Sequence, residues 1–172
     1  MKHILMILVL FASTFLVVPG AFADEPPVKI EKPVDWTELL KPKTPDLQAF
    51  YKENTESRIE VYTKSLARVD QADKLFEAFS TKLESEKKFQ RITSDNEKRF
   101  EMNDGKAYVG HYYEYKYDND GVDVSVNVFA LTINNKAIFV IAYYADANKD
   151  ETLEAFNALI RNMTLNEAAG TN

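Results

Sequence analysis

The segment Val122–Tyr144, VDVSVNVFALTINNKAIFVIAYY, decides the fold. Its first half alternates valine with Asp123, Ser125 and Asn127, which predicts a strand with one dry face and one wet face. Its second half, from Lys136 to Tyr144, is apolar on both alternating faces. A strand of this kind must lie at the centre of a sheet that is covered on both sides.

Two amphipathic helices are available to cover such a sheet. Apolar residues recur at helical spacing from about Gln71 to Lys88, with Asp70 as the expected N-cap. A second helix is expected from about Lys149 to Met163. The inward residues are expected to be Ala72, Leu75, Phe76, Phe79 and Leu83 in the first helix, and Leu153, Phe156, Leu159, Ile160 and Met163 in the second.

Strands are predicted before the first helix and between the two helices. Short alternating segments at 47–51 and 57–62 precede the first helix, and further strands are expected at 89–92, 97–102 and 106–117. The turn Asn103-Asp104-Gly105 predicts a hairpin, because glycine tolerates a positive φ. The order of elements indicates an α+β protein, an antiparallel β-sheet meander covered by helices on both faces.

The N-terminal 23 residues have the pattern of a secretory signal peptide. A basic start is followed by an apolar run from Ile4 to Val18, and Ala21-Phe22-Ala23 forms a small-x-small cleavage site. Cleavage is expected between Ala23 and Asp24. The run is shorter than the roughly 20 residues that span a bilayer. We therefore expect an exported protein, periplasmic or extracellular, without a stable membrane anchor after cleavage.

Residues 24–46 contain five of the six prolines, which predicts an extended lead. Within it, Val34–Leu40 has the spacing of one helical turn. Trp36, the only tryptophan, is expected to dock this turn onto the domain or to serve as a partner-binding anchor on a mobile arm. A single domain is expected at 47–165, and residues 166–172 form a polar tail.

Composition excludes several kinds of site. The 172 residues include no cysteine, which removes disulfides, zinc–thiolate sites and thiol nucleophiles, and the net charge of −6 argues against a nucleic-acid partner. Known catalytic signatures are missing from the sequence. A disulfide-free exported domain fits a bacterial envelope better than a eukaryotic secretion route.

The sequence also predicts no metal and no cofactor. His111 is the only histidine after the signal peptide and is expected to be a structural strand residue, since carboxylates alone would have to complete a zinc site. Two acidic clusters do not fit the spacing of a calcium loop. We expect the first cluster, Asp118, Asp120 and Asp123, to form a hairpin turn. We expect the second cluster, Asp146, Asn148 and Asp150, to form a helix cap.

Tyrosine is the most distinctive residue of the chain. Seven of the nine tyrosines lie between positions 108 and 144, where they suit either a half-buried strand or a recognition surface. Neighbouring strand residues point to opposite faces, so only some of these side chains can share a surface. The candidate binding residues are Tyr113, Tyr115 and Tyr117 on one face, Tyr108 and Tyr112 on the other, and Trp36 in the lead.

Three segments together resemble the DcrB-like and PsbP-like group of exported proteins. They are Phe76–Leu83, Phe89–Ile92 and Phe100–Tyr108, the last containing the hairpin glycine, within a likeness that covers roughly 47–165. The resemblance implies an antiparallel sheet covered by helices on both sides and a non-enzymatic binding or accessory role. It supplies no functional residue. The chain departs from the group in having only a short hairpin before the first helix, and a cystatin-like fold is the alternative.

The leading hypothesis is therefore an exported envelope binding or accessory module without catalytic activity. An envelope protein or a small ligand is the expected partner. One alternative is a carboxylate-based hydrolase of an envelope polymer, which needs a pair of acids in a cleft. Another is a protein inhibitor or chaperone that uses a cystatin-like sheet or the Trp36 arm.

Overall fold

The computed structural model describes residues 28–39, 47–68, 71–86, 89–119, 122–133 and 135–165. The signal peptide with its cleavage site, the expected N-cap Asp70 and the polar tail lie outside the described residues. Within these ranges no helix combines the length and the apolar character needed to cross a membrane.

A seven-stranded antiparallel sheet forms the centre of the protein, in the order β2-β3-β4-β8-β7-β6-β5. Strand β8 lies in the middle, which confirms the prediction made from its apolar pattern. A separate pair of short strands joins β1 to β9. The strands are β1 (Val28–Lys29), β2 (Thr37–Glu38), β3 (Leu47–Tyr51), β4 (Arg58–Ser65), β5 (Gln90–Glu101), β6 (Ala107–Asn119), β7 (Val122–Ile133), β8 (Lys136–Ala145) and β9 (Thr164–Leu165).

One helix packs on each face of this sheet. Helix α1 (Ala72–Thr81) continues into a π-helical turn (Lys82–Glu86), and helix α2 (Lys149–Asn162) follows a 3₁₀ turn (Asp146–Asn148). We call the two sides of the sheet the α1 face and the α2 face. This arrangement confirms the α+β fold with helices on both faces. It excludes the cystatin-like alternative, in which a single helix is gripped by the meander.

The alternation of β8 divides its side chains between two cores. Phe139, on the α1 face, contacts Phe76 and Phe79 with ring centroids 5.1 and 5.2 Å apart. The neighbouring residue Val140 joins the core beneath α2, which includes Phe156. Because successive residues of a strand point to opposite faces, β8 stabilises both layers at once.

The first described segment, 28–39, packs against the sheet. The predicted helical turn at 34–40 is wrong, because Asp35 has a φ of +60° and the next residues form strand β2 on the edge of β3. Trp36 is only 3% exposed and belongs to the α2 core. Pro33 disfavours a helix in this segment, and pairing with the edge of β3 satisfies backbone groups of β2 instead.

The structure also tests the predicted hairpin at Gly105 and the two strands predicted before it. Gly105 has a φ of +82°, which confirms the predicted turn. The two short strands expected at 89–92 and 97–102 are one strand, β5, which is interrupted by irregularities between Arg91 and Thr93 and between Asp95 and Lys98. Such bulges insert unpaired residues and break the period-two pattern from which a strand is predicted.

Candidate functional site

The predicted wet face of β7 is buried at two of its three polar positions, whereas Asp123 is exposed. Ser125 and Asn127 are each 1% exposed, because they face α2 rather than solvent. Asn127 donates a hydrogen bond from its amide to the Tyr112 hydroxyl and accepts one from the Tyr144 hydroxyl. We call Tyr112, Asn127 and Tyr144 the Asn127 cluster. The side chains of this cluster form hydrogen bonds with one another, whereas the sequence pattern predicted that this face would contact water.

Ser125 lies on the same face of β7 as Asn127 and connects these polar residues to the start of α2. Its hydroxyl donates to Asp146 Oδ1 over 3.0 Å, and Lys116 Nζ lies 3.0 Å from Asp146 Oδ2. The hydrogen bond from Lys116 lowers the pKa of Asp146, and Ser125 contributes in the same direction. The predicted helix cap is corrected here: Asn148 occupies the N-cap position without a side-chain capping bond, and Asp146 binds the sheet instead.

Two tyrosines of the α1 face are covered by α1. Tyr113 is 7% exposed and Tyr115 is fully buried, with its hydroxyl 2.7 Å from Ser80 Oγ. The Arg91 guanidinium lies 5.6 and 5.9 Å from the centroids of these two rings. Burial raises the pKa of both phenols. Tyr115 therefore offers no exposed surface to a partner.

The remaining candidates lie in different places. Tyr117 is half-buried, with its ring 5.3 Å from that of Phe89 on the α1 face. Trp36 is buried in the α2 core. Tyr108 and Tyr112 are half-buried on the α2 face of β6. The structure therefore brings Tyr108 and Tyr112 onto one accessible surface and separates them from the other candidates.

That accessible surface has an aromatic centre and a charged rim. Lys98 Nζ on β5 lies 5.7 Å from the centroid of the Tyr112 ring. Glu114 Oε1 lies 3.9 Å from Lys149 Nζ, and its Oε2 lies 3.5 Å from the Thr93 hydroxyl. We call these five residues the β5–β6 surface. Tyrosine is enriched in protein interfaces, whose rims are polar.

His111 packs between the sheet and α1. Its ring centroid is 5.0 Å from that of Phe76, its Nδ1 lies 3.3 Å from Asn96 Oδ1, and its Nε2 lies 3.7 Å from Asp73. These contacts agree with a structural strand residue. In the part of the chain that the structure describes, no group of three or more histidine, aspartate or glutamate side chains could hold a metal ion.

A second buried polar cluster lies on the α1 face, where β4 meets β8. Glu60 is 1% exposed, and its Oε1 lies 2.5 Å from an Arg58 guanidinium nitrogen. Burial raises the pKa of Glu60, and the Arg58 charge opposes that shift. Tyr62 and Tyr143 share this face. We call these four residues the Glu60 cluster.

Sequence reasoning passed over both buried clusters. Arg58, Glu60 and Tyr62 alternate with the apolar Ile59 and Val61, so they read as the outward face of a half-exposed strand. No local signal distinguishes them, because their burial follows from the pairing of this strand with β8 in the fold. A polar residue opposite such a strand must find a buried partner.

The comparisons with known proteins support the fold. No family model and no curated protein matches the sequence. The chain is similar in structure to cyanobacterial PsbP from Synechocystis sp. PCC 6803, with 14% identity and a TM-score of 0.51 over 87% of this chain and 99% of that one. It is also similar to LpqN of Mycobacterium tuberculosis, described as involved in cell envelope biogenesis, with 15% identity and a TM-score of 0.53 over 86% and 89% of the two chains.

A third similar structure, from Bacteroides thetaiotaomicron VPI-5482, has 9% identity and a TM-score of 0.49. The likeness covers 85% of this chain, which spans only 47% of that protein. The PsbP and LpqN likenesses show that the chain has a PsbP-like fold. They confirm the fold that the sequence resemblance implied, and family membership stays a prediction.

Proposed function

We propose that this chain is an exported, non-catalytic binding module of the cell envelope, which engages a protein partner through the β5–β6 surface. The observation that carries the proposal is the position of Tyr112. Its ring is half-buried, its hydroxyl is held by Asn127, and Lys98 lies beside it. An aromatic side chain that is already held in place loses little conformational entropy when it binds.

The wider setting supports an envelope role. The N-terminal pattern predicts export, and LpqN, which shares the fold, is described as involved in cell envelope biogenesis. The N-terminal pattern includes a cleavage site after Ala23, so the mature protein is expected to begin at Asp24. N-terminal sequencing of the protein from a fractionated host tests this step, and recovery of intact Met1 protein in the cytoplasm would contradict it.

Two adjacent cations on β5 provide a matched test of the surface. Lys98 points to the α2 face beside Tyr112, whereas Arg99 pairs with Val109 and points to the α1 face. Both side chains are exposed. K98E and R99E change the net charge equally. A difference in partner capture between these two variants therefore depends on the face of the sheet and not on the total charge.

The experiment is cross-linking and mass spectrometry on the native envelope fraction. We expect the wild type and R99E to capture the same protein partner and K98E to lose it, at equal levels of folded protein. Retention of that partner by K98E would contradict a role for the β5–β6 surface. Loss from both variants would indicate a charge effect without a preferred face.

The two alternative functions have less support among the described residues. The hydrolase hypothesis requires two acids, but Glu60 is the one buried carboxylate in those ranges and its close charged neighbour is Arg58. The hypothesis of an inhibitor or chaperone relies on a cystatin-like sheet, which the helices on both faces exclude, or on an accessible Trp36, whose ring is buried in the α2 core.

A further inference from the structure

Strand β5 is an edge of the seven-stranded sheet, and no other strand of the described chain pairs with its outer side. An open edge is a template for another strand, and proteins commonly block such edges with bulges. The irregularities of β5 lie between Arg91 and Thr93 and between Asp95 and Lys98. The longest regular stretch is therefore Lys98–Glu101, at the C-terminal end of the strand.

The turn after β5 determines which backbone groups of this stretch point outward. The N–H of Met102 donates to the Lys106 carbonyl over 2.8 Å, so the backbone of Met102 faces β6. Backbone groups alternate in direction along an antiparallel strand. Phe100 therefore also faces β6, whereas the N–H and C=O groups of Arg99 and Glu101 point to the open edge.

The side chains of these two outward residues carry opposite charges. Arg99 and Glu101 lie on the α1 face, 64% and 80% exposed, with Arg99 Nε 3.8 Å from Glu101 Oε1. Solvent screens a pair at this exposure, so both charges remain available to a partner. Between them, Phe100 is half-buried on the α2 face, with its ring centroid 4.4 Å from that of Phe129.

An antiparallel copy of the same stretch complements these charges. With Phe100 opposite Phe100, Arg99 of each copy lies opposite Glu101 of the other. Both of these residues present outward N–H and C=O groups, so each such pair exchanges two backbone hydrogen bonds. Shifting the centre of the pairing by one residue would place Arg99 opposite Arg99, or Glu101 opposite Glu101, and like charges directly opposite are unfavourable. The charges therefore select one register.

We propose that a second copy of this chain pairs with β5 along residues 98–102, in an antiparallel, two-fold symmetric dimer that joins the two sheets. Such a contact uses the same surface on both copies, so it closes and does not propagate. The chain turns back toward β6 after Met102, and the bulge interrupts β5 before Lys98. The contact is therefore short, and we expect a weak dimer that forms as the protein concentration rises.

The experiment measures dimerisation of the mature protein by analytical ultracentrifugation, from micromolar to millimolar concentration. R99E and E101R should each raise the dissociation constant about tenfold, because each places like charges opposite one another at both ends of the contact. The double variant R99E/E101R restores opposite charges in the same register. It should dimerise within about threefold of the wild type.

K98E is the matched control, because Lys98 lies opposite Met102 of the second copy, which carries no charge. K98E should keep the dimer and lose the protein partner of the β5–β6 surface, whereas R99E should lose the dimer and keep that partner. The dimer does not rest on the proposed function, and these crossed outcomes show which of the two proposals fails.

Amide hydrogen exchange tests the backbone pairing directly. The outward amides of Arg99 and Glu101 should be protected only at millimolar concentration, whereas the Phe100 amide, which faces β6, should be protected throughout. Wild-type protein that stays monomeric at millimolar concentration would overturn the proposal. So would a dimer that R99E and E101R leave intact, or an R99E/E101R variant that is folded by its amide spectrum and stays monomeric.

Discussion

The Asn127 cluster and the Glu60 cluster lie on opposite faces of one sheet, and each contains two tyrosines. In the first, the amide of Asn127 donates to one hydroxyl and accepts from the other. In the second, the Arg58–Glu60 ion pair lies on the same face as two tyrosines, and the Tyr143 hydroxyl has no hydrogen-bond partner among the described residues. Buried polar groups are nearly always paired, so the two clusters differ in how completely their hydrogen bonds are satisfied.

The largest expected effect comes from opening the closed cluster. Asn127→Ala removes the oxygen that accepts from the buried Tyr144 hydroxyl and the amide that donates to the Tyr112 hydroxyl. We expect the free energy of unfolding to fall by about 3 kcal/mol, measured by urea denaturation. A loss below about 1 kcal/mol would show that water replaces the amide and that this cluster is not closed.

The next effect is a dependence on pH. Burial raises the pKa of Glu60 above its ordinary value of 4.5, so between the two values the folded protein binds more protons than the unfolded chain. The free energy of unfolding therefore falls as pH rises through that window, by at most about 1.4 kcal/mol per pH unit.

Glu60→Gln should remove this part of the slope, measured by urea denaturation from pH 4 to pH 8. Glu101→Gln is the control, because it removes the same charge from an exposed position on β5. Parallel curves for wild type and E60Q would show that burial of Glu60 does not control stability in this range.

A smaller and sharper comparison uses two adjacent tyrosines of β8. Tyr144→Phe removes a hydroxyl that donates to Asn127 and should destabilise the protein by about 1 kcal/mol. Tyr143→Phe removes a hydroxyl without a partner among the described residues and should be neutral or slightly stabilising. Equal losses in thermal denaturation would contradict the distinction between the two clusters.

The smallest effect is expected at the ion pair next to Ser125. Lys116 and Asp146 form an ion pair in which both side chains are about 40% exposed. Solvent screens such pairs, so Lys116→Met should leave the denaturation midpoint unchanged within error at physiological salt. A clear loss of stability would show that this ion pair, Ser125 and Asn127 stabilise the fold cooperatively.

Much of the fold was predictable from local pattern. The apolar run of β8, the helical spacing from Ala72 onward and the turn at Gly105 each express a rule that acts over a few residues. The position of β2 was not predictable in this way, because Thr37 and Glu38 become a strand only when β3 offers them an edge. The candidate site was predicted only in part: Tyr108 and Tyr112 share a surface, while Tyr115 is buried beneath α1.

The sequence by itself determined the two helices, the longer strands and the central position of β8, since these depend on periodicity and side-chain volume along the chain. Tertiary structure alone decided the fate of the polar residues. Ser125 and Asn127 are spaced two residues apart, as on a solvent-exposed face of a strand, and Arg58 and Glu60 have the same spacing on β4. Whether such a face meets water or a covering layer depends on contacts between distant segments, and the free-energy cost of burial then decides which polar groups must find partners.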